Sequence, residues 1–422
     1  MTSRLTFHGG AGEVTGSNFL LDTGSLKVLV ECGLFQGHLT GENKNYEPFS
    51  YDPKEIKALF VTHAHLDHTG RIPKLVRDGF RGDIFSTAPT KDLAELVLRD
   101  SIAILEEEAK KTGKKILYTN ADIDAALALW KTVGYHEEVA LPDGVCVELK
   151  NTGHILGSAM FEFTRGGSSI VFTGDIGNTP DPILPNSEPL LRAKYLVMEG
   201  VYGDRPHEDR EIRRERIEDI VEDTVKEKGV LLIPAFSIER AQEMLFEIKT
   251  MVEAHRIPPV PVFLDSPLAI DATELYRKYR NFLKKDVSDG AGLGRSIFSF
   301  HNLHKTRDVE ESKRIADTPD PKIIIAGSGM SSGGRILFHE KKYLSLPTTT
   351  LLLVGYQAPG SLGRLLEEGV KEVVILGEKI KVQARIEKVT GYSSHADSDA
   401  LFSFVVPMAD TAKKVFIVNS EP

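Results

Sequence analysis

The run His63-Ala64-His65-Leu66-Asp67-His68 puts three imidazoles and a carboxylate within six residues. It follows the apolar segment 58–62, which reads as a buried strand, so the run occupies a turn at a strand end. Neutral imidazole and carboxylate are the donors that zinc-like ions take, and a turn can aim several of them at one point. With 13 histidines in 422 residues, chance clustering at this spacing is a poor explanation. Two later residues stand in similar settings. His154 lies in Thr152-Gly153-His154-Ile155-Leu156-Gly157-Ser158, and Asp175 in Phe172-Thr173-Gly174-Asp175-Ile176-Gly177, beside glycines that permit tight turns. Taken alone, each is more ordinarily a loop residue. With the cluster they complete a dinuclear site in which Asp175 can bridge both metals. Such a site makes hydroxide at neutral pH and neutralises charge developing on a phosphoryl or acyl group, so hydrolysis is the expected chemistry.

These groups need strands and turns to place them. Short apolar runs recur at residues 26–30, 58–62, 170–173, 195–198, 230–233, 262–264, 323–326, 351–354, 373–376 and 415–418, and several end in a polar residue or glycine. They read as buried strands. Between them Ile217, Ile220, Val221 and Val225 share one helical face, as do Ala241, Met244, Leu245 and Ile248. An α/β chain with helices covering sheets is predicted. The 41% hydrophobic and 27% charged content is too apolar for disorder, and the length fits two or three domains. Two cysteines, Cys32 and Cys146, cannot build a disulfide framework, which points to a reducing compartment, the cytoplasm. The N-terminus has no apolar signal region and no run approaches the roughly 18 residues of a membrane helix, so no membrane partner is expected. A net charge of -9 argues against indiscriminate coating of nucleic acid while allowing a local basic channel. The basic groups at Arg210, Arg213, Arg214 and Arg216, and at Lys110, Lys111, Lys114 and Lys115, read as solvated surface. Candidate boundaries fall at Gly203-Asp204-Arg205-Pro206 and near residues 367–371.

The His-x-His-x-Asp-His run with a distant His and Asp resembles the metallo-β-lactamase superfamily. Further segments resemble its β-CASP branch, in order along nearly the whole chain. They are Gly9-Gly10-Ala11-Gly12-Glu13-Val14-Thr15-Gly16-Ser17, Cys32-Gly33-Leu34-Phe35-Gln36-Gly37, Tyr202-Gly203-Asp204-Arg205 and Pro234-Ala235-Phe236. Then come Asp265-Ser266-Pro267-Leu268-Ala269, Gly327-Ser328-Gly329-Met330 with Gly333-Gly334-Arg335, Gly355-Tyr356-Gln357 and Ser393-Ser394-His395-Ala396-Asp397. That branch contains nucleases, including the RNA-cleaving subunit of the polyadenylation machinery and its prokaryotic relatives. The resemblance implies a metallo-β-lactamase αββα sandwich interrupted by an inserted β-CASP α/β domain. Residues 1–203 and 371–422 would form the first, with a shortened C-terminus, and residues 204–370 the second.

The resemblance also assigns roles. His63, His65 and His154 would hold one Zn2+, Asp67 and His68 a second, and Asp175 both; Asp67 counts among the catalytic groups as well. A metal-bridging hydroxide is expected to attack phosphorus in line, with His395 as the acid and Glu199 orienting it. Without the resemblance, Glu199 reads as a solvated carboxylate at a strand end, and His395 equally as a cap or hydrogen-bonding residue. Ser328, Ser331, Ser332 and Gly333 would hold a phosphate between a strand and a helix N-terminus, with Arg335 and Arg364 as supporting cations. As a Gly/Ser loop alone, that signal is weak. Three positions depart from the family pattern. Glu31 stands where an Asp is usual, Gly200 where a Ser is frequent, and Asn419 where RNA-directed members carry a ligand His. An amide oxygen is a poorer zinc ligand than imidazole, so the second metal site would be weakened. The expected function is a zinc-dependent ribonuclease cutting single-stranded RNA endonucleolytically. The alternatives are an RNA-binding β-CASP subunit with an impaired metal site, and hydrolysis of a thioester or lactam, against which the inserted domain argues. Relatives often form homodimers, and a homodimer is compatible with the chain.

Overall fold

The computed structural model describes residues 3–37, 43–208, 210–292 and 296–420. Glu421 and Pro422 lie outside the described residues. Two compact units divide the chain, one of Met1–Pro206 with His395–Pro422, the other of His207–Ser394. Each of the ten apolar runs forms a strand, and both predicted helical faces lie on helices, Arg210–Lys226 and Arg240–Glu253.

In the first unit, one six-stranded sheet runs in chain order through β1 (Arg4–Phe7), β2 (Phe19–Asp22), β3 (Lys27–Val30), β4 (Ala58–Phe60), β5 (Asp83–Ser86) and β6 (Trp130–Thr132). The other contains β7 (Glu138–Leu141), β8 (Val145–Asn151), β9 (Ala159–Arg165), β10 (Ser168–Phe172) and β11 (Tyr195–Glu199), with β20 (Lys414–Val418) at the edge beside β11. β8 is buried at every second position, the period a half-covered strand requires. The sheets face each other across one core, where Phe60 meets Phe161 and Phe163 edge-on at 5.3 and 5.0 Å between ring centroids. Leu29, Leu59 and Ile84, on the opposite face of the first sheet, are buried as well. The helix Ser398–Val405 packs Leu401 against Leu196 and Met198 on the outside of the second sheet. This is the expected αββα sandwich.

Strand direction decides where the chemistry gathers. β11 runs parallel to both β10 and β20, with Phe172 opposite Val197 and Glu199 opposite Val418. β8 and β10 are each antiparallel to β9, so β8 points the same way. The carboxyl ends of β8, β10, β11 and β20 therefore share one edge. The Ala159 amide donates across the sandwich to the Thr62 carbonyl at 2.9 Å, which brings the end of β4 to that edge too.

The second unit holds an all-parallel sheet of β12 (Val230–Ala235), β13 (Val262–Asp265), β14 (Leu303–Lys305), β15 (Lys322–Gly327), β16 (Thr350–Leu353) and β19 (Arg385–Lys388), in the order β14-β13-β15-β12-β16-β19. Every residue of β12 is buried, as in strands covered on both faces. A separate hairpin is formed by β17 (Glu372–Ile375) and β18 (Glu378–Lys381). The expected return to the first domain at residue 371 falls inside this unit. The physical reason is the parallel pairing of β19 with β16, Leu351 opposite Ile386, which extends the sheet from its edge.

Asp265 ends β13 fully buried and accepts from Thr306 Oγ1 and Ser312 Oγ at 2.6 Å, from Arg335 at 2.7 Å, and pairs with His339 at 2.7 Å. Burial opposes its charge, yet these partners hold the carboxyl down at about 2, below the ordinary 3.8. A carboxyl lowered on folding stabilises the native state above its unfolded value, and that contribution drains away as pH falls from 3.8 towards about 2. Asp265→Asn is expected to cost about 1–3 kcal/mol at neutral pH. Acid titration followed by circular dichroism should show the variant losing less stability than the parent between those two pH values.

Candidate metal centre

Four donor atoms from three strand ends converge. His63 Nε2 lies 3.1 Å from His65 Nδ1 and 3.3 Å from Asp175 Oδ2. His154 Nε2 lies 3.3 Å from the same His65 nitrogen and 3.4 Å from the same Asp175 oxygen. A tetrahedral ion with bonds of about 2.0–2.1 Å needs donors roughly 3.3–3.4 Å apart, so this set fits a zinc-like ion. Burial pushes His63, His65 and His154 below the ordinary imidazole range, which favours the neutral form that binds metal.

The other Asp175 oxygen faces a second group. Oδ1 lies 3.5 Å from His68 Nε2, which is 3.6 Å from Asp67 Oδ2. Asp175 thus presents one oxygen to each set. For His68, burial opposes the charge, but Asp175, Asp67 and Glu31 outweigh it and push the imidazole up to about 10. Three carboxylates around one ring balance a cation as well as they balance a proton. Asn419 follows β20 into this second group. Its Nδ2 lies 3.4 Å from His68 Nε2 and 3.5 Å from Asp175 Oδ1, while its Oδ1 accepts from Ser17 Oγ at 2.9 Å. The donor end of the amide, as its hydrogen-bond partners assign it, faces the site.

The turn carrying the histidines is held by residues that spacing alone does not reveal. Thr62 Oγ1 is 2.9 Å from His63 Nδ1 and fixes that ring. The Ser17 amide donates to the Asp67 carbonyl at 3.0 Å, and the Cys32 amide to the His68 carbonyl at 2.9 Å. Glu31, at φ 66°, accepts from the Thr62 amide at 3.1 Å. Its second oxygen stays 3.7 Å from His68 Nδ1, and neither atom has a hydrogen-bond partner among the described residues. Burial pushes the Glu31 carboxyl up. The Glu side chain still reaches the turn, where one oxygen engages the backbone and the other faces the His68 ring at ion-pair distance without a hydrogen bond. Gly33 passes so close that a Cβ there would collide with the Asp67 carbonyl. Gly33→Ala should therefore displace the 65–68 turn, destabilise the unit by about 1–3 kcal/mol, and lower bound metal per chain measured by mass spectrometry. Unchanged metal content would show that the turn tolerates the shift. Ser17 and Gly33 lie within segments that carry the family resemblance, and Thr62 directly precedes the histidine run, but nothing in their types marks them as supports.

Glu199 ends β11 fully buried, and its Oε2 accepts from His395 Nδ1 at 2.9 Å. Its other oxygen accepts from the Ile176 amide. His395 is held by a bridge to Gly177 and by the Ala396 amide donating to the Ile176 carbonyl at 2.7 Å. Its ring centroid is 4.6 Å from that of His154, and its Nδ1 is 3.9 Å from Asp175 Oδ2. Burial pushes Glu199 up; His395 is opposed by burial but raised to about 9 by Glu199, Asp175 and Asp67. Asp175, Glu199 and His395 also offer donor atoms within 4.8 Å of one another.

The remaining expected residues lie in the second unit. Ser328 and Ser331 adopt φ 84° and 54°, unusual for residues with a side chain. Ser332 is exposed and its amide donates to Ser328 Oγ at 3.1 Å; Gly333 is half-buried. Ser331 is buried and donates to Glu340. Arg335 is not placed as a free cation. It donates to Asp265 at 2.7 Å and to the carbonyls of Thr306 and Arg307 at 3.0 and 2.7 Å, so it braces the loop. Arg364 is more exposed and pairs with Glu368 at 2.7 Å.

Residues 20–197 match the metallo-beta-lactamase superfamily domain and residues 241–366 the Beta-Casp domain. Fold and site together define a member of the metallo-β-lactamase superfamily. The chain is 38% identical over 403 residues to Ribonuclease TTHA0252 of Thermus thermophilus, covering 95% of this chain and 90% of that protein. It is 31% identical over 434 aligned residues to Transcription termination factor FttA of Methanosarcina mazei, covering 99% of this chain and 67% of that protein. The chain belongs to the β-CASP family of that superfamily. A crystal structure of a protein of unknown function from Enterococcus faecalis V583 shares the fold with a TM-score of 0.54 at 12% identity, over 100% of this chain and 94% of that one. Among the described residues no helix is long and apolar enough to cross a membrane.

Proposed function

We propose that the chain is a zinc-dependent ribonuclease that hydrolyses phosphodiester bonds inside single-stranded RNA. The observation that carries this reading is the convergence of His63, His65, His154 and Asp175 beside the buried Glu199–His395 pair. It is supported by relatives named a ribonuclease and a transcription termination factor. His63, His65 and His154 would hold one ion, Asp67 and His68 the other, and Asp175 both. Ions there supply Lewis acidity and activate water as a nucleophile at neutral pH. Glu199 holds His395 by Nδ1, which directs Nε2 away from the carboxylate to protonate the leaving oxygen. Ser328, Ser332 and Gly333 hold a substrate phosphate with Arg364 in support, while Ser331 and Arg335 shape the loop. The two free cysteines agree with a reducing, cytoplasmic setting.

Asn419 makes the two ion sites unequal, because its amide turns a donor toward His68 and Asp175. The chain should retain one zinc firmly and lose the second on dialysis. Asn419→His should bring bound zinc toward two per chain; an unchanged stoichiometry would remove Asn419 from this role. The same amide is the observation that favours an RNA-binding subunit with an impaired site. Incubation of end-labelled linear and circular single-stranded RNA, with and without chelator, separates the readings. Chelator-sensitive internal cuts and linearised circles are expected. No cutting by the chain, but cutting by Asn419→His, would establish the binding-subunit reading.

A further inference from the structure

In the unit of residues 207–394, β15, β12 and β16 are adjacent and parallel. Their carboxyl ends therefore deliver the 328–334 loop, Phe236 and Gly355-Tyr356 side by side. The connection after β12 leads toward β13, on the β15 side, while the connection after β16 leads the opposite way to β19. The crevice between β12 and β16 is thus a topological switch point, where open parallel sheets take ligands.

Two aromatic side chains stand at that crevice in the open. Phe236 is 39% exposed and Tyr356 49%, although large aromatic rings are usually buried. The Phe236 ring is not loose. A Cβ on Gly329 would come within 2.8 Å of it, and one on Gly355 within 3.4 Å, so the ring lies against the backbone of both neighbouring loops. Gln357 ties the same two loops together, its buried amide donating to the carbonyls of Gly329 and Gly355 at 2.9 and 3.1 Å. The two glycines leave room for the ring, and Gln357 fixes the floor beneath it. A rigid aromatic with one side packed and the other exposed is a stacking surface. Next to it, the exposed Ser332 and half-buried Ser328 place hydroxyls on the adjoining loop, with Ser328 Oγ fixed by the Ser332 amide at 3.1 Å. Phosphate donors beside an aromatic surface match the alternation of phosphate and base along a nucleic-acid strand.

We propose that Phe236 and Tyr356 form a stacking platform for the bases of single-stranded RNA, with the 328–334 loop taking the adjoining phosphate. This rests on the ribonuclease reading. Stacking engages the ring face common to all four bases, so binding here is tolerant of sequence. Gln357 acts as a positioning residue, through the two loops it joins.

The test uses the full-length, zinc-loaded chain and a single-stranded RNA with phosphorothioate linkages to slow cleavage, carrying 2-aminopurine. A matched oligomer of the same backbone without bases is the control. The base-bearing RNA should bind about 10-fold tighter than the control, with quenching of 2-aminopurine fluorescence. Phe236→Leu and Tyr356→Ala should each weaken base-bearing RNA about 10-fold and leave the control unchanged, and Phe236→Trp should keep the affinity. Equal affinity of the parent chain for both oligomers would overturn the platform. If Phe236→Leu weakened both oligomers alike, the loop would have collapsed, and Tyr356→Ala would decide: without a loss selective for bases, the platform fails. A parent chain that neither binds nor cuts RNA would sink the ribonuclease reading itself. A chain that cuts RNA yet ignores the bases would sink only the platform.

Discussion

Asp175→Asn is expected to lose zinc and RNA cleavage together. The substitution keeps the shape of the side chain and replaces one carboxylate oxygen with an amide nitrogen that cannot ligate. Asp175 uses both oxygens, one within 3.3 and 3.4 Å of His63 and His154, the other 3.5 Å from His68. No rotation of an amide serves both groups. Burial opposes the Asp175 charge, but His68 and His63 hold its carboxyl well below the usual carboxylate range, so the groups around it are arranged for an anion. Changes one shell further out typically cost 10–100-fold in affinity or activity, and the loss here should exceed about 100-fold. Metal content by mass spectrometry and cleavage of labelled RNA would be read on the same samples. An Asn variant that keeps as much zinc as the parent chain would show that Asp175 is not the bridge.

His395→Ala should separate what Asp175→Asn joins. Turnover is expected to fall roughly 10²–10⁴-fold, the usual contribution of a general acid, with zinc per chain unchanged. The reason is geometric. His395 is held by Glu199 at 2.9 Å and stands 3.9 Å from Asp175, beside the ligand set and outside its shortest contacts. Glu199→Gln should also lower turnover, because its single amide oxygen can accept from His395 Nδ1 or from the Ile176 amide but not from both, and the negative charge is gone. Since Asp175, Glu199 and His395 also bring donors within 4.8 Å, the zinc measurement is decisive. Loss of zinc in His395→Ala would make that histidine a ligand and refute its role as acid.

The parts of this site differ in how far the amino-acid order reveals them. The His63–His68 run is legible because its donors sit in one turn, where residue spacing translates directly into spatial proximity. His154 and Asp175 are legible as strand-end residues, since a buried strand followed by glycine sets where the chain turns. The Glu199–His395 contact spans 196 residues. It depends on the parallel pairing of β11 with β20 and on the Gly177–His395 bridge, which local pattern does not encode, so only the family resemblance exposes it. Arg335 illustrates the converse. Its place in a Gly/Ser loop points to phosphate, yet the buried Asp265 carboxylate and two carbonyls claim its donors. The strands and the two apolar helical faces follow from the order of apolar residues, while the αββα sandwich with its inserted α/β domain is what the family resemblance implies. The return point between units follows from neither, because β19 joins the sheet by an edge pairing that its own half-buried residues do not announce.

The central claim is that the imidazole and carboxylate cluster binds the ions on which RNA hydrolysis depends. The most direct measurement strips the chain with chelator, titrates zinc back, and follows bound zinc and cleavage of an end-labelled single-stranded RNA in the same samples. The stripped chain should be silent, and cleavage should rise with zinc occupancy to the untreated level. Cleavage that persists in the metal-free chain, or silence at full occupancy while RNA is bound, would contradict the account.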